Sequence, residues 1–355
     1  MRSFMSVLPP DDHRPSLISL PPVALLSVSL MGVATADEVI MQNGDRLSGD
    51  VVRQDNGQLQ LETEYAGTIS IDWEQVRAVH LDDPVPVLLD DDAVIDVARV
   101  IRDQDQLQLI TPPPSEPMSL PPERVEIVEP EPWEIGDGYR LNGQINIGLQ
   151  DQTGNSESNE IDLDFNLDYQ RRWHEWETYG ALEYITTRGV ETAENWTLLN
   201  KYTRRFRKSP WYGAAWLRFK HDLFADLRLR SIVGPSLGYQ FDTRDDIRLS
   251  AEIGPAYLHQ DFYDQQDSDF WGPGIFIDYE QDLIADQLQF YFTGMGFSAI
   301  SSQNNDLSVS RTGFRLPLIG GFLGTIEYEV DYDSDPAEGA KTTDKALRFK
   351  LGYQW

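Results

Sequence analysis

Cysteine is absent from this sequence of 355 residues, so the chain has no disulfide bond, no cysteine-ligated metal and no thiol nucleophile. Basic residues are scarce: 29 lysines and arginines stand against 59 aspartates and glutamates, giving a formal net charge of −30. Nucleic acid binding requires a basic surface, and this charge argues against it. No segment after Met31 has the roughly eighteen consecutive apolar residues of a membrane-spanning helix. These absences exclude thiol enzymes and argue against nucleic acid as a partner.

Residues 1–36 have the layout of a secretory signal peptide. Arg2 and Arg14 precede an apolar stretch, residues 17–33, and the tripeptide ATA follows at 34–36. A basic start, an apolar centre and an A-x-A site are the three parts of such a signal. Two prolines within the stretch argue against a buried helix. We therefore expect export, with the mature chain beginning at Asp37.

The next region predicts a small acidic β module with two degenerate repeats. Asn-Gly pairs at 43–44 and 56–57 lie between alternating segments, which is a strong hairpin signal. Two segment pairs recur at nearly constant spacing: VVRQDNGQLQL with RVIRDQDQLQL, 48 residues later, and ISIDWEQVRAV with MSLPPERVEIV, 49 residues later. We assign residues 37–111 and the proline-rich residues 112–130 to this module, which we expect in the periplasm. Residues 131–138 read as a semi-rigid linker.

The run Asp90-Asp91-Asp92 is a conspicuous acidic feature of this module. It is either a site for divalent cations or a basic partner, or a solvated face that keeps the module soluble. Consecutive aspartates in a turn lack the ligand spacing of a calcium loop. The solvated face is therefore the favoured interpretation.

Residues 139–355 predict an all-β region of twelve antiparallel transmembrane strands. In NEIDLDFNLDYQ, residues 159–170, apolar and polar side chains alternate strictly, which favours a strand over a helix. Similar segments recur to the end of the sequence. They are residues 139–150, 159–173, 176–188, 196–207, 211–221, 228–241, 247–259, 270–280, 287–298, 307–318, 322–333 and 345–355.

The connections between these segments are typical of an outer-membrane β-barrel. Short turns such as His174-Glu175 alternate with longer polar loops such as RGVETAEN, and the strand number is even. Aromatic residues such as Trp211 and Trp355 fall beside the short turns, and Trp271 falls near the opposite ends. Two such girdles are expected where a barrel meets lipid headgroups. We expect the barrel in the outer membrane, with both of its ends on the periplasmic side.

The inward-facing positions of the last two strands carry opposite charges. Glu327 and Glu329 on the eleventh strand should meet Arg348 and Lys350 on the twelfth as cross-strand pairs. A lumen with such charges is either closed by salt bridges between its walls or forms a narrow pore with charged constrictions. Eight strands enclose a filled interior and sixteen or more a channel, so twelve strands leave both possibilities open.

The final segment, LRFKLGYQW, has an apolar face that we expect to contact lipid. This face consists of Leu347, Phe349, Leu351, Tyr353 and Trp355. An alternating strand with a terminal aromatic residue resembles the signal read by the machinery that inserts outer-membrane barrels. These five residues are therefore candidates for an assembly signal.

Signals for catalysis are weak. His221-Asp222 lies at a strand end, and no acidic or hydroxyl partner for an acid–base reaction can be placed beside it. Asp331, Asp333 and Asp335 alternate as in a calcium loop, but the required glycine and closing glutamate are missing. The basic run RRFRK, residues 204–208, meets a periplasmic turn and is expected to anchor the barrel rim. No catalytic residue, cofactor or metal site is predicted.

Several motifs in fixed order resemble the YdiY-like, salt-induced outer-membrane proteins. They are EVIMQNGDRLSGDVV near the start of the module, TGNSES in the first loop, and DYDSDPAEG and KTTDKALRFKLGYQW near the end. The resemblance implies an exported outer-membrane barrel of unknown function with a link to osmotic or salt stress. It implies no catalytic residues. The duplicated acidic module departs from the shortest members of that family.

The function expected from the sequence is non-enzymatic envelope maintenance. A narrow solute or ion channel and an outer-membrane hydrolase are the alternatives. The expected partners are outer-membrane lipid, the barrel insertion machinery and a periplasmic or cell-wall component.

Overall fold

The computed structural model describes residues 36–152, 158–241, 246–285, 287–300, 305–336 and 341–355. The predicted signal peptide lies outside this part of the chain except for Ala36, and so does most of the TGNSES loop. The described residues form twenty-one β-strands and a few short 3-10 helices. None of the helices among them is long and apolar enough to cross a membrane.

The N-terminal module is a nine-stranded antiparallel sheet. Its strands are β1 (Asp37–Met41), β2 (Arg46–Asp55), β3 (Gln58–Thr63), β4 (Gly67–Asp72), β5 (Val76–Leu89), β6 (Val94–Asp103), β7 (Gln106–Ile110), β8 (Met118–Leu120) and β9 (Val125–Val128). Their order in the sheet is β4-β3-β2-β1-β5-β6-β7-β8, and β9 pairs with both β2 and β5.

The two sequence repeats occupy equivalent places in this sheet. In the first, β2, β3 and β4 lead through a 3-10 turn (Trp73–Gln75) into β5; in the second, β6, β7 and β8 lead through another (Pro122–Arg124) into β9. Leu59 and Leu61 in β3 and their counterparts Leu107 and Leu109 in β7 are all at most 1% exposed and belong to one apolar core. Because β5 pairs with β1 through Val79 and with β9 through Val87, it joins the two copies into one module.

The segment between module and barrel is an ordered turn. Residues Pro132–Ile135 form a 3-10 helix whose capping box joins Glu131 and Glu134, and Gly136 ends it in the left-handed region. Arg53 of the module donates two hydrogen bonds to the Glu134 carboxylate, at 2.6 and 2.7 Å. The predicted linker is therefore tied to the module by side-chain contacts.

Twelve further strands form a closed antiparallel barrel in which each strand pairs with its neighbours in sequence, as predicted. They are β10 (Arg140–Gln152), β11 (Ser158–Arg171), β12 (His174–Thr187), β13 (Val190–Arg205), β14 (Trp211–Asp222), β15 (Leu227–Gln240), β16 (Ile247–Phe262), β17 (Ser268–Ile284), β18 (Leu288–Ser298), β19 (Asp306–Pro317), β20 (Phe322–Asp333) and β21 (Thr343–Gln354).

The connections between barrel strands differ less in length than the sequence suggests. The predicted loop RGVETAEN is almost entirely strand, because β12 and β13 are joined by Arg188 and Gly189 alone, both with positive φ. Its polar residues continue the ladder, with Tyr184 opposite Glu194. On the other rim, the turn between β11 and β12 is Arg172-Trp173 rather than His174-Glu175. Main-chain hydrogen bonding needs no apolar side chain, so polar sequence next to a turn still forms strand.

We call the rim that includes residues 172–173 and 206–210 the turn side, and the opposite rim, with residues 188–189 and 223–226, the loop side. The module lies against the turn side, since Lys208 forms an ion pair with Asp90.

Candidate functional site

Part of the barrel lumen is lined by an apolar cluster. Its members share inward-facing positions on β14 to β19 and are almost fully buried. They are Trp216, Ile232, Ala256, Leu258, Phe276, Met295, Phe297 and Leu307. The Trp216 ring meets Phe276 edge-on at 4.8 Å between centroids and lies over Gly274, where an added Cβ would come within 2.7 Å of the ring.

This apolar cluster escaped the sequence analysis, which considered only charged residues for the lumen. The signal was present in segments such as WYGAAWLRF and GPGIFI, which are apolar at successive positions rather than at every second one. These strands are apolar on both faces, since their outward residues, such as Ile275 at 45% exposed, are apolar too, and they therefore lose the alternation that marks a half-polar strand.

The four predicted luminal charges lie together on the opposite wall. Glu327 and Arg348 are direct partners in the register of β20 and β21. The ion pairs nevertheless run diagonally, from Lys350 Nζ to Glu327 at 2.8 Å and from Arg348 to Glu329 at 3.4 Å. The structure thus brings all four residues together, in ion pairs that are offset from the strand register.

The same two cations extend the network onto β11 and β12. Lys350 Nζ lies 2.6 Å from Asp164, and Arg348 lies 3.1 Å from Asp162 and 3.2 Å from Glu183. Because β21 closes against β10, these pairs reach past β10 to the strands beyond it. The seam of the barrel is therefore crossed by ion pairs on its inner surface.

Other ion pairs join strands that are far apart in the barrel. Lys220 on β14 lies 2.7 Å from Asp331 on β20, and Arg230 on β15 pairs with Asp333 on β20. Lys201 on β13 lies 2.7 Å from Glu252 on β16. Since β14 and β20 stand six places apart in a ring of twelve, the first of these pairs joins opposite walls.

A cavity of about 360 Å³ remains in the lumen beside this network. Charged side chains that line it include Asp162, Glu183, Arg218, Lys220 and Arg348. Phe224 and Lys341 line it as well, which places it toward the loop side. The space is polar and lies within the volume range of small-molecule sites.

The seam between β10 and β21 is short. Pairing runs from Gln144 opposite Gln354 to Ile147 opposite Leu351. Trp355 adds two main-chain hydrogen bonds to Gly143, at 3.0 and 3.1 Å, and its ring lies over that glycine.

The five assembly-signal candidates all lie on the outer face of β21 and its end. Their exposed fractions range from 43% to 67%. They are Leu347, Phe349, Leu351, Tyr353 and Trp355. An outward apolar face is what lipid contact requires, and the role of these residues in assembly remains a prediction.

The aspartate run of the module is only in part the solvated face of the favoured interpretation: the Asp91 side chain is 50% exposed, whereas Asp90 and Asp92 bind the barrel. It is the turn between β5 and β6 and contacts the barrel rim: Asp90 lies 2.5 Å from Lys208, and Asp92 lies 2.5 Å from Arg172 and 3.4 Å from Arg207. The basic partner considered for this run is thus the barrel of the same chain. Sequence alone offered no way to pair them, because about eighty residues or more separate the partners.

This interface also contributes to a lowered pKa of Asp90. The hydrogen bond from Lys208, and then that from Arg124 at 2.6 Å, holds the pKa of the Asp90 carboxyl below its ordinary value of 3.8. Two hydrogen bonds from the barrel rim to the linker reinforce the interface: the Arg172 N–H donates to Trp133 O at 2.9 Å, and the Arg171 side chain donates to Gly136 O at 2.9 Å.

The other candidates from sequence do not assemble into a site. His221 Nδ1 lies 2.9 Å from Arg228 O, whereas the Asp222 carboxylate accepts from the Ala225 N–H and faces Lys220. Neighbouring strand residues point to opposite sides, so the two do not form a dyad. The luminal carboxylates of Asp331 and Asp333 are already paired with cations, as described above.

One group of three carboxylates has the spacing that a metal ion needs: oxygens of Glu160, Asp162 and Glu183 lie within 4.8 Å of one another. Arg348 forms ion pairs with Asp162 and Glu183, so a cationic side chain already binds two of the three.

A family model described as "Protein of unknown function, DUF481" matches residues 145–355. The chain belongs to the DUF481 family. This match spans most of the barrel and fits the predicted resemblance to a family of unknown function, while the YdiY-like name itself stays a prediction. No curated protein matches the chain.

Solved structures similar to this DUF481 protein are outer-membrane barrels of low identity. The translocator domain of the autotransporter NalP from Neisseria meningitidis is 12% identical, with 62% of this chain and 88% of that chain covered and a TM-score of 0.35. The β domain of the Bordetella autotransporter BrkA is 12% identical, with 61% of this chain and 98% of that chain covered and a TM-score of 0.32. The outer membrane channel DcaP of Acinetobacter baumannii is 8% identical, with 61% of this chain and 97% of that chain covered and a TM-score of 0.31. Scores this low support no inference about function.

Proposed function

We propose that this DUF481 protein is a non-enzymatic outer-membrane barrel that is closed to the passage of solutes and serves envelope maintenance under osmotic or salt stress. The observation that carries the proposal is the bridging of the lumen: Lys220 on β14 binds Asp331 on the opposite wall, at 2.7 Å. Eight almost fully buried apolar side chains, among them Trp216 and Phe276, occupy another part of the lumen.

The outer surface of the barrel supports placement in a membrane. Ile253, Trp271 and Phe349 face outward and are 61%, 64% and 67% exposed. A continuous apolar belt of this kind is unfavourable in water and is covered by lipid in outer-membrane proteins. Outer-membrane lipid and the barrel insertion machinery are accordingly the first partners of the proposed function.

The position of the module supports an orientation. Asp90 and Asp92 hold it against the turn side, and in outer-membrane barrels the short turns face the periplasm. The module would then be presented to the periplasm, where a cell-wall or periplasmic component is its proposed partner.

A narrow channel is the second candidate, and the polar cavity of about 360 Å³ favours it. For conduction, the contacts between Lys220 and Asp331 and between Arg230 and Asp333 would have to open. The four side chains are mostly buried, with exposed fractions of 6% to 19%, so separating these pairs is costly. This cost favours the closed barrel.

Cells that lack the gene test the proposal. We expect them to become more sensitive to bile salts and to sudden osmotic upshift, with normal uptake of small solutes, and we expect the wild-type gene to restore resistance. Fractionation should place the protein in the outer membrane, with the module cleaved by protease only after the envelope is opened. Reduced uptake of a small solute with an intact barrier would instead support the channel.

A further inference from the structure

Arg218 is a buried cation that has no partner among the residues the structure describes. It lies on the inward face of β14, is 6% exposed, and makes no ion pair or hydrogen bond with any described residue. Other buried luminal cations are satisfied: Lys201 by Glu252, Arg230 by Asp333, and Lys350 by Asp164 and Glu327. An unpaired buried charge is costly unless something else compensates it.

The carboxylates that interact most strongly with the charge of Arg218 already form ion pairs with other cations. Asp331 and Glu329 act on it most strongly among the acids. Asp331 lies 2.7 Å from Lys220, and Glu329 lies 2.7 Å from Arg311 and 3.4 Å from Arg348. Arg311 and Arg230 add positive charge around Arg218. None of the described carboxylates therefore occupies the donors of Arg218, and these donors can bind a group from outside the protein.

The cavity described above provides the space for that group, because Arg218 is part of its lining. A guanidinium offers five donors in a planar fork that matches the paired oxygens of a carboxylate or a phosphate. We propose that Arg218 binds the oxyanion of a small solute in the luminal cavity.

The size and position of the cavity define the solute further. About 360 Å³ is more than a single ion fills, so a small organic acid or a phosphate or sulfate ester fits better than a free inorganic ion. The cavity extends toward the loop side, where Phe224 and Lys341 line it. The solute would therefore enter from the rim opposite the module.

Calorimetric titration of the full-length protein in a non-ionic detergent tests this inference, with inorganic phosphate, sulfate and succinate as probes. We expect saturable one-site binding of at least one probe, and the preferred probe distinguishes carboxylates from tetrahedral oxyanions. Arg218→Gln should weaken that binding roughly ten- to hundredfold, the loss expected for hydrogen bonds to a charged group. Arg218→Lys keeps the charge but not the fork, so an intermediate affinity is expected.

Arg228→Gln is the matched control, because Arg228 lies on the outer face and is paired with Asp261. Its affinity should equal that of the wild type. Thermal unfolding gives a second readout: without probe, Arg218→Gln should melt higher than the wild type because an unpaired buried charge is gone, and saturating probe should remove this advantage. Equal affinity in wild type and Arg218→Gln, or no binding of any probe by the wild type, would overturn the inference whether or not the barrel is closed.

Discussion

Apolar and polar side chains alternate along the strands of both the module and the barrel, but the apolar side chains face inward in the module and outward in the barrel. In the module, Leu59 and Leu61 face inward and are fully buried. In the barrel, Leu347 and Phe349 face outward and are 59% and 67% exposed, while Arg348 and Lys350, which alternate with them, face the lumen. An alternation with a period of two residues therefore identifies a strand, but it does not show which face of the strand packs in the protein interior.

The two regions also differ in what holds them together. The module has a single apolar core shared by both repeats, whereas the barrel interior is divided between an apolar cluster and a network of ion pairs. Apolar contacts tolerate changes in shape, but a buried ion pair fails when one partner is removed. Substitutions in the two regions should consequently fail in different ways.

The largest effect is expected from Lys350→Met. Lys350 is 8% exposed and is shared by Asp164 and Glu327, so its removal leaves two buried carboxylates without their cation. We expect a loss of about 3–5 kcal/mol in barrel stability. Urea unfolding in lipid vesicles measures it. Lys345→Met, at an exposed lysine of the same strand, is the control and should change stability by less than about 0.5 kcal/mol.

A smaller effect, confined to the module, is expected from Leu61→Ala. Leu61 is completely buried in the module core, and a cavity of this kind costs about 2–5 kcal/mol. Limited proteolysis should digest the module earlier while the heat-resistant barrel band on gels is unchanged. Leu347→Ala is the same substitution on the outer face of the barrel and should leave the module intact, since lipid fills the space. Simultaneous loss of both regions in Leu61→Ala would contradict their separate cores.

Docking of the module should weaken in Arg172→Ala, by about 1–3 kcal/mol. The Arg172 side chain is 11% exposed, pairs with Asp92 and Glu126, and donates to Glu134 O at 2.5 Å. Cleavage within residues 131–138 reports the detached module. The wild type should show a milder form of the same effect in 1 M salt, where the Debye length falls to about 3 Å. Unchanged cleavage in the variant would show that other contacts hold the module.

The smallest effect is on pH dependence. Because the pKa of Asp90 is lowered in the docked state, its ionised form favours docking above the ordinary pKa of 3.8, and this contribution is lost as pH falls through the lowered value. Docking of the wild type should therefore weaken below roughly pH 4. Asp90→Asn should dock less tightly at neutral pH and show a flatter profile. An identical pH profile in both proteins would exclude Asp90 as the titrating group.

The sequence predicted the fold well because periodicity is a local property. NEIDLDFNLDYQ specifies a strand without reference to its neighbours, and twelve such segments specify the barrel. The luminal pairs were predicted in part: β20 and β21 are consecutive, so Glu327, Glu329, Arg348 and Lys350 were expected to meet. Asp164 and Glu183 belong to the same network but join it only through barrel closure, which depends on the register of all twelve strands.

Contacts between distant segments could not be predicted from the sequence, because they too depend on the three-dimensional arrangement of the whole chain. The pairing of Asp92 with Arg172 requires the whole module to be placed on the turn side. The isolation of Arg218 is visible only when every neighbouring carboxylate has been assigned to another cation. Sequence patterns indicate which residue types are available, and the three-dimensional arrangement determines which of them remain unpaired.

Planar bilayer recording with the refolded full-length protein tests the closed lumen most directly. We predict no discrete conductance steps at any voltage for the wild type, since Lys220–Asp331 and the apolar cluster bridge the interior. Reproducible steps in the wild type that change in Glu329→Ala or Arg348→Ala would contradict this account and show that the lumen is a channel.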